Sequence, residues 1–282
     1  MAGKFARSWE LVKASMAVLR SDKELLVFPL VSSMATLLVA ATFIVPMFAS
    51  GMFENIDRHA ATPPLYYLWL FAFYVVQYLV IFFFNTALVG AAMIRLDGGD
   101  PTVTDGFRIA RSKIVPILGY AVIAATVGMV LRGLEQRAGF IGRIVVGLIG
   151  VAWTVATFMV VPVLVARDVG PIDAIKESAS LLKSTWGENL IGNGGVGIVF
   201  GLLTFAVIAI GMTLAIVSGA NNLLPLAVVI GCATVVAVLG LALVQAALAG
   251  IYSAALYRYA TDGKAPSGFD GQALQQAFRL KA

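Results

Sequence analysis

Three polar side chains lie inside long apolar runs, where they could contact a solute within a membrane. Asn85 and Thr157 each precede an arginine by ten residues, and Gln245 precedes one by thirteen. At about 1.5 Å per helical residue, ten residues place Asn85 and Thr157 about 15 Å inside the membrane, near its midplane. Gln245 would lie somewhat deeper.

Amide and hydroxyl groups at this depth have two interpretations. If the helices surround a common axis, the three side chains face one another as a polar ring for a permeating solute. Alternatively, they hydrogen-bond between helices, a contact typically worth about 0.6 kcal/mol. Two of them begin similar hexapeptides, Asn85-Thr-Ala-Leu-Val-Gly90 and Gln245-Ala-Ala-Leu-Ala-Gly250. The spans contain no convincing charged residue near the midplane, which disfavours an ion-driven transporter and leaves a passive channel open.

The arginines used for this count belong to a recurring sequence mark. Arg95, Arg167 and Arg258 are each followed by aspartate, glycine and proline within nine residues. We predict that each arginine reaches the lipid headgroups at the cytoplasmic interface, while the three following residue types end the helix and turn the chain. The marks divide the chain into three repeats, about 4–100, 101–170 and 171–265.

The composition predicts the elements that position these residues. Hydrophobic residues make up 60% of the 282 and charged residues only 12%, about half the charge of a soluble domain. Several apolar runs exceed the ~20 residues needed to cross a bilayer. We therefore predict an all-α membrane protein, one integral membrane domain over 1–282, with six transmembrane helices. The predicted spans are 26–48, 65–94, 114–131, 143–166, 191–217 and 223–257.

The basic residues predict the orientation of these spans. Of the 20 lysines and arginines, sixteen fall on one side of the predicted membrane and four on the other. The positive-inside rule then places both termini in the cytoplasm. The net charge of +5 is attributed to this rule and to anionic headgroups at the cytoplasmic face, so the expected partner is the lipid bilayer and no nucleic acid.

Each repeat begins with a predicted short amphipathic helix followed by a transmembrane hairpin. In the second of these helices, Thr102 and Asp105 form the pattern of a capping box. A fourth such helix, 269–281, is predicted to close the chain. These helices lie in the headgroup zone or pack on the cytoplasmic ends of the spans. Their apolar stripes are Phe5, Trp9, Val12, Met16 and Leu19; Val103, Phe107, Ala110 and Ile114; and Ile172, Ile175, Ala179, Leu182 and Trp186.

Glycines in the fifth span predict close helix packing. Gly197 and Gly201 form a small-xxx-small face, on which two helices can approach each other closely. A glycine-lined unwound segment at a pore is the alternative. The sequence is also compatible with a homo-oligomer.

Enzyme motifs fit poorly. The segment Asp105–Arg111 resembles the start of the CDP-alcohol phosphotransferase signature, but it has one residue too many and lacks the later aspartates of the metal site. One histidine and one cysteine exclude clusters built on several of either residue. The sequence predicts no catalytic residue, no metal and no cofactor.

Several segments together resemble an uncharacterised family of bacterial six-span integral membrane proteins. They are Ser8-Trp9, Leu25-Leu-Val-Phe-Pro29, Asp105-Gly-Phe-Arg-Ile-Ala110, Trp153, Val161-Pro162 and Ser184-Thr-Trp-Gly-Glu188. The alternation of short helices and hairpins is faintly similar to the membrane domain of glycerophosphodiester phosphodiesterases, which implies a lipid-associated scaffold. We expect a protein of the bacterial cytoplasmic membrane, with passive, channel-like transport of a small solute as the favoured function. A non-catalytic scaffold or lipid-associated protein is the alternative, and a lipid-modifying enzyme is the less favoured one.

Overall fold

The computed structural model describes residues 2–49, 64–186, 195–263, Pro266 and Phe269. These residues form helices and turns, with no strand among them. A 3-10 turn, Lys23–Leu26, joins the first two helices. The helices are α1 (Ala2–Ser21), α2 (Val27–Ala49), α3 (Pro64–Leu96), α4 (Val103–Ser112), α5 (Ile114–Arg137), α6 (Phe140–Ala156), α7 (Val160–Ala166), α8 (Pro171–Trp186), α9 (Gly195–Ala220) and α10 (Leu224–Asp262).

Six helical segments are long and apolar enough to cross a membrane, as the sequence predicts. The second and sixth, α3 and α10, have 33 and 39 residues. Both exceed the 20 or so residues that cross the hydrocarbon core, so these helices tilt or extend past it. The six segments are Lys23–Ala49, Pro64–Leu96, Ile114–Arg137, Phe140–Ala166, Val199–Ala220 and Leu224–Asp262. The predicted closing helix, 269–281, lies outside the described residues apart from Phe269.

The buried core lies at one end of the bundle, the end that carries the arginine marks. On α3 the buried residues begin at Thr86, and on α10 they begin at Ala247. One hydrophobic cluster joins these two helix ends to α1, α4, α7 and α8, and we call this packed end the base. The outer parts of the spans expose large apolar side chains, as expected for helices surrounded by lipid.

The short helices pack against the spans at the base. Helix α1 contacts α9 and α10, while α4 contacts α3 and α8 contacts α5, α6 and α7. Val12 and Leu19 of the first predicted stripe are buried, and Phe5 and Trp9 lie outside the described side chains. On α8, Leu182 is buried but Ile172 is 58% exposed. Packing on the span ends is therefore observed, and contact with lipid headgroups stays a prediction.

Helix α4 begins as its sequence predicts. The Asp105 backbone N–H donates to the Thr102 side-chain oxygen at 3.2 Å, and the Thr102 backbone N–H donates to the Asp105 carboxylate at 3.0 Å. These two bonds form a capping box. The Glu24 carboxylate accepts a third bond, from the Val103 backbone N–H at 3.0 Å. Three N–H groups at this turn therefore have acceptors, one of them supplied by the 3-10 turn that precedes α2.

The fourth span, predicted over 143–166, contains an interruption that is not predicted from the sequence. Helix α6 ends at Ala156, a turn covers 157–159, and α7 starts at Val160. Pro162 explains the position, because proline has no N–H for a continuous helix and is tolerated in the first turn of a new one. A side chain from α8 fills the interruption. The hydroxyl of Ser178 donates to the Ala156 carbonyl at 2.7 Å and accepts from the Met159 N–H at 3.0 Å.

A close approach between α9 and α10 lies at a glycine other than the two predicted for close packing. Gly197 and Gly201 are exposed, and a Cβ built at either would have no neighbouring atom within 4 Å. The two helices instead approach at Gly211, where a Cβ would lie 2.1 Å from the Thr234 hydroxyl. The pattern of glycines indicated a close approach in this hairpin but not which face makes it, because the facing side chains decide the contact.

Candidate functional site

Asn85 lines a cavity of about 320 Å³ between α2, α3 and α10, which we call the Asn85 cavity. Its other polar lining residues are Ser32 and Ser253, and Phe158 contributes an aromatic wall. The Ser253 hydroxyl donates to the Gly250 carbonyl at 2.8 Å. Among the described residues, the Asn85 carboxamide has no hydrogen-bond partner. An amide has two N–H donors and one carbonyl acceptor, so this cavity presents unused hydrogen-bonding groups inside a membrane span.

A glycine on α10 lies beside this amide. A Cβ at Gly250 would lie 2.5 Å from a methyl carbon of Leu88 and 3.6 Å from the Asn85 amide oxygen. Glycine therefore allows α10 to pack directly on α3 beside Asn85. Gly250 ends the second of the two similar hexapeptides and Leu88 belongs to the first, so the two hexapeptides contact each other here. Gly90, its counterpart, faces Ile109 of α4 instead.

The other two predicted polar residues lie apart from Asn85. Thr157 lines a second space, between α3, α5 and α6, and its hydroxyl donates to the Trp153 carbonyl at 2.8 Å. Gln245 is half-buried on α10 and lines neither of these two cavities, although Ala246 beside it lines the first. Neither of these two cavities is lined by more than one of the three side chains.

The second space is a partly open groove of about 700 Å³ with an aromatic wall; we call it the aromatic groove. Three stacked rings, Tyr78, Phe82 and Tyr120, line this wall, and Tyr74 continues their row beyond it. Tyr74 and Tyr78 have centroids 6.3 Å apart, Tyr78 and Phe82 are 5.6 Å apart, and Phe82 and Tyr120 are 4.4 Å apart. At the Tyr74 end, an Arg132 guanidinium N–H donates to the Tyr74 hydroxyl at 2.6 Å. The three aromatics of α3 are four residues apart, a spacing that places their rings on one face of the helix.

The three arginine marks form ion pairs at the base. Arg95 pairs with Asp100 at 3.0 Å, Arg167 pairs with Glu177 at 2.7 Å, and Arg258 pairs with Asp97. The Arg258 pair joins the last mark to the first. Each guanidinium contacts a carboxylate of the same chain, and the predicted contact of these arginines with lipid headgroups stays a prediction.

The glycines of two marks have the conformation that a turn requires. Gly98 has φ of +87° and Gly263 has φ of +68°. This left-handed region is open to glycine and costly for other residues. The predicted role of the mark in ending a helix is therefore observed at α3 and α10.

A buried carboxyl beside the first mark gives a pH-dependent prediction. Asp22 is 6% exposed and one of its carboxylate oxygens has no hydrogen-bond partner among the described residues. Burial raises the pKa of Asp22 above its usual value, and the nearby Arg95 charge opposes this only partly. Since the folded pKa exceeds the unfolded one, the favourable contribution is complete below about pH 4 and is lost as the pH rises through the folded pKa.

Asp22→Asn should therefore raise the free energy of unfolding at pH 7.5, by about 1 kcal/mol. The gain should shrink as the pH falls through the folded pKa of Asp22, because the wild-type carboxyl then becomes protonated. Thermal unfolding in detergent at several pH values measures this. The exposed Asp173→Asn is the control, with no such pH-dependent gain. Equal effects of Asp22→Asn at both pH values would contradict the prediction.

These features define the class of the protein: a multi-pass α-helical membrane protein with a packed base and a polar cavity within its spans. Residues 64–269 match the family of unknown function DUF6159, and the chain belongs to that family. This agrees with the predicted resemblance to an uncharacterised family of membrane proteins. No curated protein and no solved structure matches the chain. The comparisons give no support for a relation to glycerophosphodiester phosphodiesterases.

Proposed function

We propose that this protein is a channel-like membrane protein that passes a small, uncharged polar solute passively, with Asn85 as its intramembrane contact. The observation that carries the proposal is the unpaired carboxamide in the Asn85 cavity. A polar group in hydrocarbon costs free energy unless it is hydrogen-bonded. A solute or water in the cavity would supply the missing bonds.

The lining of the cavity favours a neutral solute. None of its lining residues is charged, and its polar groups are one carboxamide and two hydroxyls, at Asn85, Ser32 and Ser253. Such groups replace the hydration of a small hydroxylated or amide-bearing molecule, whereas an ion needs stronger compensation in a low dielectric. Glycerol and urea are suitable test solutes, because each forms several hydrogen bonds and neither carries charge.

Stopped-flow light scattering of proteoliposomes measures this flux directly. Wild-type vesicles should equilibrate glycerol or urea faster than empty vesicles. Asn85→Leu should reduce the protein-dependent rate about fivefold or more, since it removes hydrogen bonds each worth about 1 kcal/mol to the solute and places an apolar side chain in the cavity. No flux above empty vesicles would overturn the proposal, as would an unchanged rate in Asn85→Leu.

Two further variants make the result specific. Thr126→Val removes an exposed hydroxyl on α5 that bonds to its own helix, at the Val122 carbonyl, so the flux should stay unchanged. Gln245→Leu distinguishes a solute path through the Asn85 cavity alone from one through the predicted polar ring. A loss of flux in Gln245→Leu equal to that in Asn85→Leu favours the ring, and little change favours the Asn85 cavity alone.

The proposed setting follows the sequence interpretation. We place the protein in the bacterial cytoplasmic membrane with both termini inside, and we interpret its chain as three repeats of a short interfacial helix and a hairpin. The order of elements supports this, because α1, α4 and α8 each precede a pair of spans. The anionic headgroups of the cytoplasmic face are the proposed partners of the basic side chains there.

The alternative of a lipid-associated protein rests on a separate observation, the aromatic groove, which is partly open. We propose no catalytic role. The five aspartates of the predicted cytoplasmic face, which an enzyme would need, each form an ion pair with a basic side chain. They are Asp97, Asp100, Asp105, Asp168 and Asp262.

A further inference from the structure

We propose that the aromatic groove binds one anionic phospholipid, with an acyl chain along the stacked rings and the headgroup phosphate at Arg132. This site lies between α3, α5 and α6 and is distinct from the Asn85 cavity. The inference stands whether or not the protein conducts a solute, because it rests on different residues.

The length of the groove fits one leaflet of a membrane. Leu131 and Tyr120 both line the groove and lie eleven residues apart on α5, which corresponds to about 17 Å along the helix. Arg132 directly follows Leu131. Half of the ~30 Å hydrocarbon core is about 15 Å. The groove therefore extends from the headgroup level to about the bilayer centre, where Tyr120 and Thr157 line its inner end. A transmembrane helix of another protein would need a contact surface twice as long.

The lining of the groove fits an acyl chain. Its wall consists mainly of aromatic and small residues, and the glycines Gly128, Gly147 and Gly150 lie along it. A Cβ at Gly147 would meet no atom within 4 Å, and one at Gly150 would meet only Leu131, at 3.9 Å. The glycines thus leave open volume beside the rings. Burial of each methylene in such a space is favourable when it replaces looser contacts in the bilayer.

The charge at the outer end fits a phosphate. Arg132 is exposed, and in the described part of the chain it has no carboxylate within 4 Å. Its hydrogen bond to the Tyr74 hydroxyl holds the guanidinium above the stacked rings. A guanidinium has five N–H donors that match the geometry of a phosphate. One donor is used by Tyr74, which leaves four N–H groups that can bind a phosphate.

Trp153 lines the groove and serves as a reporter of occupancy. The chain has 4 tryptophans, so a background with Trp9→Phe, Trp69→Phe and Trp186→Phe retains only Trp153. The purified protein is placed in phosphatidylcholine vesicles, and increasing fractions of lipid brominated in the acyl chain are added. Brominated phosphatidylglycerol should quench Trp153 at about a tenfold lower mole fraction than brominated phosphatidylcholine.

Matched variants test each part of the site. Arg132→Gln should abolish the preference for phosphatidylglycerol, whereas Arg137→Gln removes the same charge nearby and should retain most of it. Gly147→Leu fills the groove and should reduce quenching by both lipids. Gly133→Leu is its control, because a Cβ at Gly133 also meets no atom within 4 Å and this glycine does not line the groove.

Three outcomes would overturn the proposal. Equal quenching by the two lipids in the wild-type background would show that the site does not select an anionic headgroup. A preference for phosphatidylglycerol that survives Arg132→Gln would show that this arginine does not bind the phosphate. Unchanged quenching in Gly147→Leu would place the lipid outside the groove. Thermal unfolding of every variant in the same vesicles confirms that a loss of quenching is not a loss of fold.

Discussion

Ser178→Ala should lower the free energy of unfolding by about 3 kcal/mol. The hydroxyl bonds both the carbonyl of Ala156 and the N–H of Met159, at the interruption of the fourth span. Ser178 and Met159 are fully buried, so alanine would leave two backbone groups without partners. Each unsatisfied buried group costs about 1 to 3 kcal/mol. Thermal or denaturant unfolding in detergent micelles measures the change.

The control for this variant is Ser112→Ala. The Ser112 hydroxyl is exposed and bonds to a carbonyl of its own helix, that of Ile109. Its removal should change stability by less than about 0.5 kcal/mol. If the two alanine variants had equal stability, the bonds of Ser178 would not be what supports the interruption between α6 and α7.

Gly106→Ala should be about as damaging, with a loss of about 3 kcal/mol or failure to accumulate in the membrane. A Cβ at Gly106 would lie 2.4 Å from a ring carbon of Phe28 and 2.7 Å from the Ala87 carbonyl oxygen. The ring can rotate only slightly, since it packs edge-on against Phe107 at 5.5 Å, and the carbonyl belongs to the backbone of α3. Overpacking of this kind typically costs 1 to 3 kcal/mol, occasionally more.

A double-mutant cycle identifies the obstacle. Phe28→Leu should rescue part of the loss in Gly106→Ala, because it removes the nearer contact and leaves the carbonyl in place. Strictly additive losses would show that Phe28 does not restrict this position. Gly133→Ala is the matched glycine control: its Cβ has open space, and alanine should stabilise the helix by up to about 1 kcal/mol.

The sequence was sufficient for features that depend on local composition. The six spans follow from uninterrupted apolar runs, and the start of α4 follows from Thr102 and Asp105, which are three residues apart. The turns at Gly98 and Gly263 follow from a glycine after the end of an apolar run. In each case the physical cause, hydrocarbon length or a backbone hydrogen bond, acts within one stretch of chain.

The features that sequence reasoning missed depend on which helix faces which. Ser178 lies three residues after Ile175 and four before Leu182, so it shares their face, but only the position of α7 shows that a hydroxyl is needed there. The ring of Asn85, Thr157 and Gln245 stays a prediction. Thr157 lies in the turn between α6 and α7 and lines the aromatic groove, a position that depends on the interruption of the fourth span. Similarly, Gly197 and Gly201 had the spacing for close packing but no neighbour to meet within the described residues.

The base also constrains how the chain is assembled during synthesis. Helix α1 is made before α9 and α10, yet most of its contacts are with these two helices. The buried part of α10 begins only at Ala247, so nearly the whole chain must be inserted before the base can close. Until then α1 lacks its contacts with α9 and α10, so its apolar stripe is exposed to lipid or to a chaperone. A chain that stops before α10 would therefore be marked as incomplete at its first helix, where membrane quality control could detect it.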